Sequence, residues 1–130
     1  MIRIITDSAA DFEPWELKQN NITCIPLTVL FGEDAYLENL NLSKDRFYTL
    51  LAQTKEFPKT SQAALQTVLD LYEELKASGD QAVHITLSSA LSGTYQSMCG
   101  VKNMAEFDDC HIIDSRNATG GQRMLVEYAV

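Results

Sequence analysis

A chain of 130 residues that is 45% apolar is long enough to bury one core and too apolar to be disordered. Its formal charge of −8 repels phosphate backbones and anionic lipid surfaces, which argues against nucleic-acid and membrane-surface binding. No apolar run approaches membrane-spanning length, and Cys24, Cys99 and Cys110 are too scattered for a disulfide frame or a C-x-x-C zinc site, so a reducing, cytoplasmic setting is expected.

Residues 2–6 are apolar at nearly every position and stop at Asp7, which reads as a first strand buried on both faces rather than a leader. A polar turn follows at residues 7–11. Pro14 suits the first turn of a short helix over residues 14–19, with Trp15 and Leu17 as its candidate anchors. Residues 22–31 form a second extended run. Pro26 cannot donate to a ladder, so this strand lies at an edge or breaks there. After a turn at residues 32–34, residues 35–37 read as a short returning strand. Ser43 is placed as an N-cap, and Phe47, Leu50, Leu51 and Thr54 repeat behind it at helical spacing.

Residues 58–62 read as a hydroxyl-bearing turn that opens a third helix. That helix carries Leu65, Val68, Leu69, Leu71, Tyr72 and Leu75, and Gly79 is its stop. A buried strand over residues 82–87 then meets the stretch 88–97, in which six of ten side chains are hydroxyls. A helix over residues 94–106, a strand over 110–113 and a final amphipathic helix over 120–130 complete the chain. His84 and His111 both lie inside apolar runs and are expected to be packed residues.

Strands and helices alternate with parallel-type connections. The fold class is therefore α/β, an open, mainly parallel, Rossmann-like sheet flanked by helices in three layers. Ligands of such sheets sit beyond the carboxyl ends of the strands. The turns at Asp7-Ser8, at residues 88–93 and at Asp114-Ser115 converge there, and the Thr60-Ser61 turn is expected to face the same rim. A strand, a hydroxyl-rich turn and a helix start make an anion-receiving corner. With no Lys or Arg in the stretch, a singly charged carboxylate fits it better than a phosphate. Capping and turn formation account for the same Ser and Thr residues if no ligand is involved.

The enzymatic alternative is a serine hydrolase, or an acyl or phosphoryl transferase, using Ser92. It needs a base and an orienting acid. The G-x-S-x-G elbow is absent, and His84 would have to leave its strand to serve. Neither dinucleotide- nor nucleotide-binding glycine motif is present. Asp7, Asp11 and Asp114 lack the companions of a metal site, so no metal ligand and no cofactor are expected.

Thr6-Asp7-Ser8-Ala9-Ala10-Asp11, Ile25-Pro26-Leu27, Thr60-Ser61-Gln62, the block from Leu87 to Ser97 (L-S-S-x-L-S-G-T-Y-Q-S) and Ile113-Asp114-Ser115 occur in this order. Together they closely resemble the DegV family of bacterial fatty-acid-binding proteins. The resemblance implies a two-domain α/β protein with a long-chain fatty acid between the domains. Residues 1–130 would be the first domain, and a second, lipid-covering domain would lie outside this chain. It implies Thr60 and Ser92 as ligands of the acid head, with Ser61, Ser89, Gly93 and Thr94 in close support. It further implies a non-catalytic carrier that presents its acyl chain to a fatty acid kinase. The family usually has Pro after T-S-Q; Ala63 stands there in this chain. A lone first domain would expose an apolar groove that invites homodimerisation, and a lipid-free interaction module is the remaining alternative.

Overall fold

The computed structural model describes residues 1–130. Strands β1 (Ile2–Asp7), β2 (Ile22–Ile25), β6 (Gln81–Thr86) and β7 (Cys110–Asp114) form one parallel sheet in the order β2-β1-β6-β7. Helices α3 (Leu65–Ser78) and α4 (Thr94–Ala105) pack on one face. Helices α1 (Pro14–Gln19) and α5 (Thr119–Ala129) pack on the other, which gives the three layers.

Alternation along the strands sorts the core. Ile5, Ala82 and Ile25 meet Val68, Tyr72, Leu75, Met98 and Val101 on the α3–α4 face. Ile4, Val83, Ile85 and Ile22 meet Phe12, Leu17 and Val126 on the α1–α5 face. Helix α1 begins as expected, with Pro14 in its first turn and the Glu13 N–H donating to Glu16 Oε2 at 2.8 Å. Of its two expected anchors Leu17 packs into the core, whereas Trp15 is 64% exposed and Phe12, buried just before the helix, takes its place. The Arg123 guanidinium stacks over the Phe12 ring and forks onto Glu16, tying α5 to α1.

The sheet is wet at two borders. Ile2, at the start of β1, is exposed, so burial on both faces holds only for the later part of that strand. Edge strand β7 has one covered side, and His111 faces outward rather than packing. His84 is packed as expected. It is fully buried, with Nδ1 2.6 Å from the Tyr72 hydroxyl, and burial pushes its pKa down to about 3.

The run 22–31 breaks at Pro26 and serves two sheets. Strands β3 (Thr28–Phe31), β4 (Asp34–Leu37) and β5 (Lys59–Ser61) make a second, antiparallel sheet in the order β4-β3-β5. Helix α2 (Lys44–Gln53), capped by Ser43 as expected, lies between β4 and β5 in the chain. The Leu27 N–H leaves the ladder and donates to Ser8 Oγ at 2.9 Å, which marks the crossing from one sheet to the other. Residues 58–62 are not the turn that opens α3, as their hydroxyls suggest. Their centre is strand β5, paired with β3 through Val29–Thr60 and Thr28–Ser61, and α3 starts only at Leu65. A three-residue strand of Lys, Thr and Ser has no apolar alternation to announce it.

Candidate functional site

Strand order reverses between β1 and β6, because β1 leads outward to β2 and β6 leads outward to β7. The crevice beyond their carboxyl ends is where open α/β sheets take ligands. Two carboxylates lace the loop after β6 into that crevice. Asp7 Oδ2 accepts the Leu87 N–H at 2.7 Å, while Oδ1 accepts the Ala9 N–H at 3.1 Å and Gln122 Nε2 at 3.0 Å. Burial raises the Asp7 pKa above the ordinary 3.8, against the pull of these donors. Asp114, at the end of β7, accepts the Ser89 N–H at 3.1 Å and the Ser89 hydroxyl at 2.5 Å. The Ser89 bonds, with the Arg116 N–H, hold the Asp114 carboxyl below the ordinary range.

Within the loop, Ser88 O accepts the Leu91 and Ser92 N–H groups at 3.0 and 3.1 Å, and Ser88 Oγ accepts from Ala90. The loop is thus a closed, pre-set turn that delivers Ser92 and Gly93 to the start of α4. Gly93 is the N-cap residue of that helix. Ser92 Oγ accepts the Thr94 N–H at 3.2 Å and lies 2.9 Å from Thr94 Oγ1. When the buried Thr94 hydroxyl donates to Ser92, the Ser92 proton is left to point outward.

Thr60, Ser61, Gln62, Ser92 and Gly93 share one hollow of about 620 Å³, walled on its apolar side by Leu27, Leu87 and Leu91. The small sheet brings one set of hydroxyls and the main sheet brings the other. No Lys or Arg lines it. Two further residues named from the sequence stand outside its lining. Ser89 is engaged with Asp114, and Thr94 lies behind Ser92. Gln62 was quoted as part of a motif without a role of its own. It bridges the two walls, its Oε1 accepting the Ser97 hydroxyl and its Nε2 lying against Gly93.

A second depression, of about 320 Å³, is apolar and lies on the other side of the same crossing points. Pro26 and Ala63 line it where Leu27 and Gln62 line the first, together with Ile25, Leu37, Leu40 and Leu71. No cluster of His, Cys, Asp and Glu suited to a metal ion is present, and no helix is long and apolar enough to cross a membrane.

Solved structures share this architecture. A stearic-acid-binding protein from Eubacterium ventriosum superposes with a TM-score of 0.91 at 29% identity, over 98% of this chain and 45% of its own. DegV of Bacillus subtilis, described as a fatty acid binding protein, superposes with a TM-score of 0.85 at 33% identity, over 98% of this chain and 47% of its own. In sequence, a DegV domain-containing protein of Clostridium perfringens is 33% identical over 125 residues, 96% of this chain and 45% of its own length. The chain thus spans about half the length, or somewhat less, of the relatives it matches. A family profile described as "Uncharacterised protein, DegV family" matches residues 1–130, and the chain belongs to the DegV family.

Proposed function

We propose that this chain binds the carboxylate of a long-chain fatty acid through Thr60 and Ser92, with Ser61 and Gly93 beside them. In this reading Ser89 and Thr94 support the site from behind. One observation carries the reading: alcohols from the small sheet, Thr60 and Ser61, and from the loop after β6, Ser92, line one hollow that also has apolar lining. Leu27, Leu87 and Leu91 receive the first methylenes. A buried tail of about sixteen carbons at ~0.8 kcal/mol per methylene supplies roughly 12 kcal/mol of gross stabilisation. Each hydrogen bond to the charged head adds about 1.5–3 kcal/mol. The tail therefore drives affinity and the alcohols set orientation.

A grip by hydroxyls and amides, with no cation, also favours a carrier that hands its cargo on. A bidentate Arg would hold a carboxylate firmly, whereas neutral donors leave it available to a fatty acid kinase that phosphorylates the acid. A hydrolytic role for Ser92 has no support from its surroundings: its hydroxyl meets Thr94, while His84 is buried against Tyr72. Paired Thr60→Ala and Ser92→Ala substitutions test the reading through retention of radiolabelled palmitate on gel filtration. A loss of tenfold or more is expected in the double variant. Unchanged retention refutes the head-group assignment, and hydrolysis of activated esters that vanishes in Ser92→Ala would instead make the protein an enzyme.

A further inference from the structure

Resting on that reading, we propose that Gln62 is a further ligand of the head group and the residue that makes the site select an ionised carboxylate over an uncharged polar head. Gln62 stands in the hollow between Thr60-Ser61 on one wall and Ser92-Gly93 on the other. Its two amide ends have different surroundings. Oε1 is taken by the Ser97 hydroxyl from the first turns of α4. Nε2 lies so close to the Gly93 backbone that a Cβ at position 93 would fall inside contact distance of it. A side chain at position 93 would push the amide aside, and the Ser97 bond occupies its oxygen, which leaves the nitrogen as the free end.

The chemistry of the donor set gives the selectivity. The hydroxyls of Thr60 and Ser92 rotate and either donate or accept, so by themselves they suit an acid, an alcohol or an amide head. The Gln62 amide nitrogen only donates. Beside Gly93, it rewards a head with acceptor sites to spare: an ionised carboxylate has two acceptor-only oxygens, whereas an alcohol has one oxygen whose two lone pairs the Thr60 and Ser92 hydroxyls already use. A site built to hydrogen-bond one group rejects the analogue that leaves its donor unpaired.

Two substitutions at this exposed position keep the side-chain length. Gln62→Met removes the donor, and Gln62→Glu replaces it with a negative oxygen. Binding of palmitate and of 1-hexadecanol to each purified chain, by retention of the tritiated lipid on gel filtration, reads the preference directly. Palmitate binding is expected to fall about tenfold in Gln62→Met and further in Gln62→Glu, with hexadecanol binding held within about twofold in Gln62→Met. Ser97→Ala should lower palmitate binding in wild type and change nothing in the Gln62→Met background. A wild-type preference for palmitate that survives both Gln62 substitutions overturns the assignment and leaves the proposed function standing. Equal losses of both lipids in Gln62→Met make the residue a structural strut and overturn it too. A wild-type chain that retains neither lipid defeats the proposed function, and this inference with it.

Discussion

Asp7 holds three donors with two oxygens in a place where water does not reach, and its identity as an acid matters more than its shape. Asn is nearly isosteric, but one of its two ends is an NH2 group that cannot accept. In Asp7→Asn either the Leu87 N–H or the pair formed by Ala9 and Gln122 faces a donor. We expect a loss of about 1–3 kcal/mol in urea unfolding, the cost of a buried unsatisfied group. An Asp7→Asn variant as stable as wild type would show that these bonds do not hold the loop. Residue identities were legible in uneven measure. The T-D-S and S-S-x-L-S-G-T-Y-Q-S blocks announced the strand-end turns because hydroxyls and a glycine are concentrated there. Phe12 gave no such signal. It precedes its helix and sits outside any period, so spacing points to Trp15 and Leu17, of which only Leu17 packs, while the ring that Arg123 covers is that of Phe12.

At the scale of elements, the loop after β6 is moored on both sides, by Asp7 from β1 and by Asp114 from β7. The second mooring is pH-sensitive. The Asp114 pKa lies below 3.8 in the folded chain, chiefly through the Ser89 hydroxyl, so its contribution is complete above the unfolded value and is lost as pH falls through the lowered folded one. The difference in thermal midpoint between wild type and Asp114→Ala is therefore expected to hold from pH 7 to about pH 4 and to shrink below it. A difference that is constant to pH 2.5 would rule this mooring out. Parallel strands, helices α1 to α5 and the Gly79 stop were readable because each has a period or a punctuating residue. Strand β5 was not, since its three polar residues form a strand only by pairing with β3 across a long separation. That pairing, rather than a helix start, is what brings Thr60 to the hollow that Ser92 also lines.

For the molecule as a whole, the buried Tyr72–His84 pair couples folding to pH. The His84 pKa falls from 6.5 to about 3 on folding, so the unfolded chain binds the extra proton between those values, and stability is lost as pH drops through that window. Asp7 and Glu38 have raised values and act in the opposite sense, from their ordinary 3.8 and 4.5 upward, so the His84 contribution is read below pH 6.5 as the difference from a variant that lacks it. Stability is expected to decline there by up to about 1.4 kcal/mol per pH unit. The double variant Tyr72→Phe, His84→Leu removes both partners and should flatten that slope in urea titrations; equal slopes would exclude His84 as the source. The composition told only that such a chain is acidic and globular. The three-layer order followed from alternation of strands and helices, while the second sheet did not, because Pro26 divides one apolar run between two layers.

That division has a mechanical consequence. Residues 28–61 leave the main body at Leu27 and return at Gln62, both on the rim of the hollow, and elsewhere meet it through polar bonds such as Ser8 to Glu38 and Lys44 to Glu13 and through Leu37 and Leu40 beside Ile25 and Leu71. On the proposed reading, a guest gripped from both sides would act as a rivet across this seam. Cargo and clasp would then loosen together, the small sheet turning on two short chain crossings while the four parallel strands stay closed.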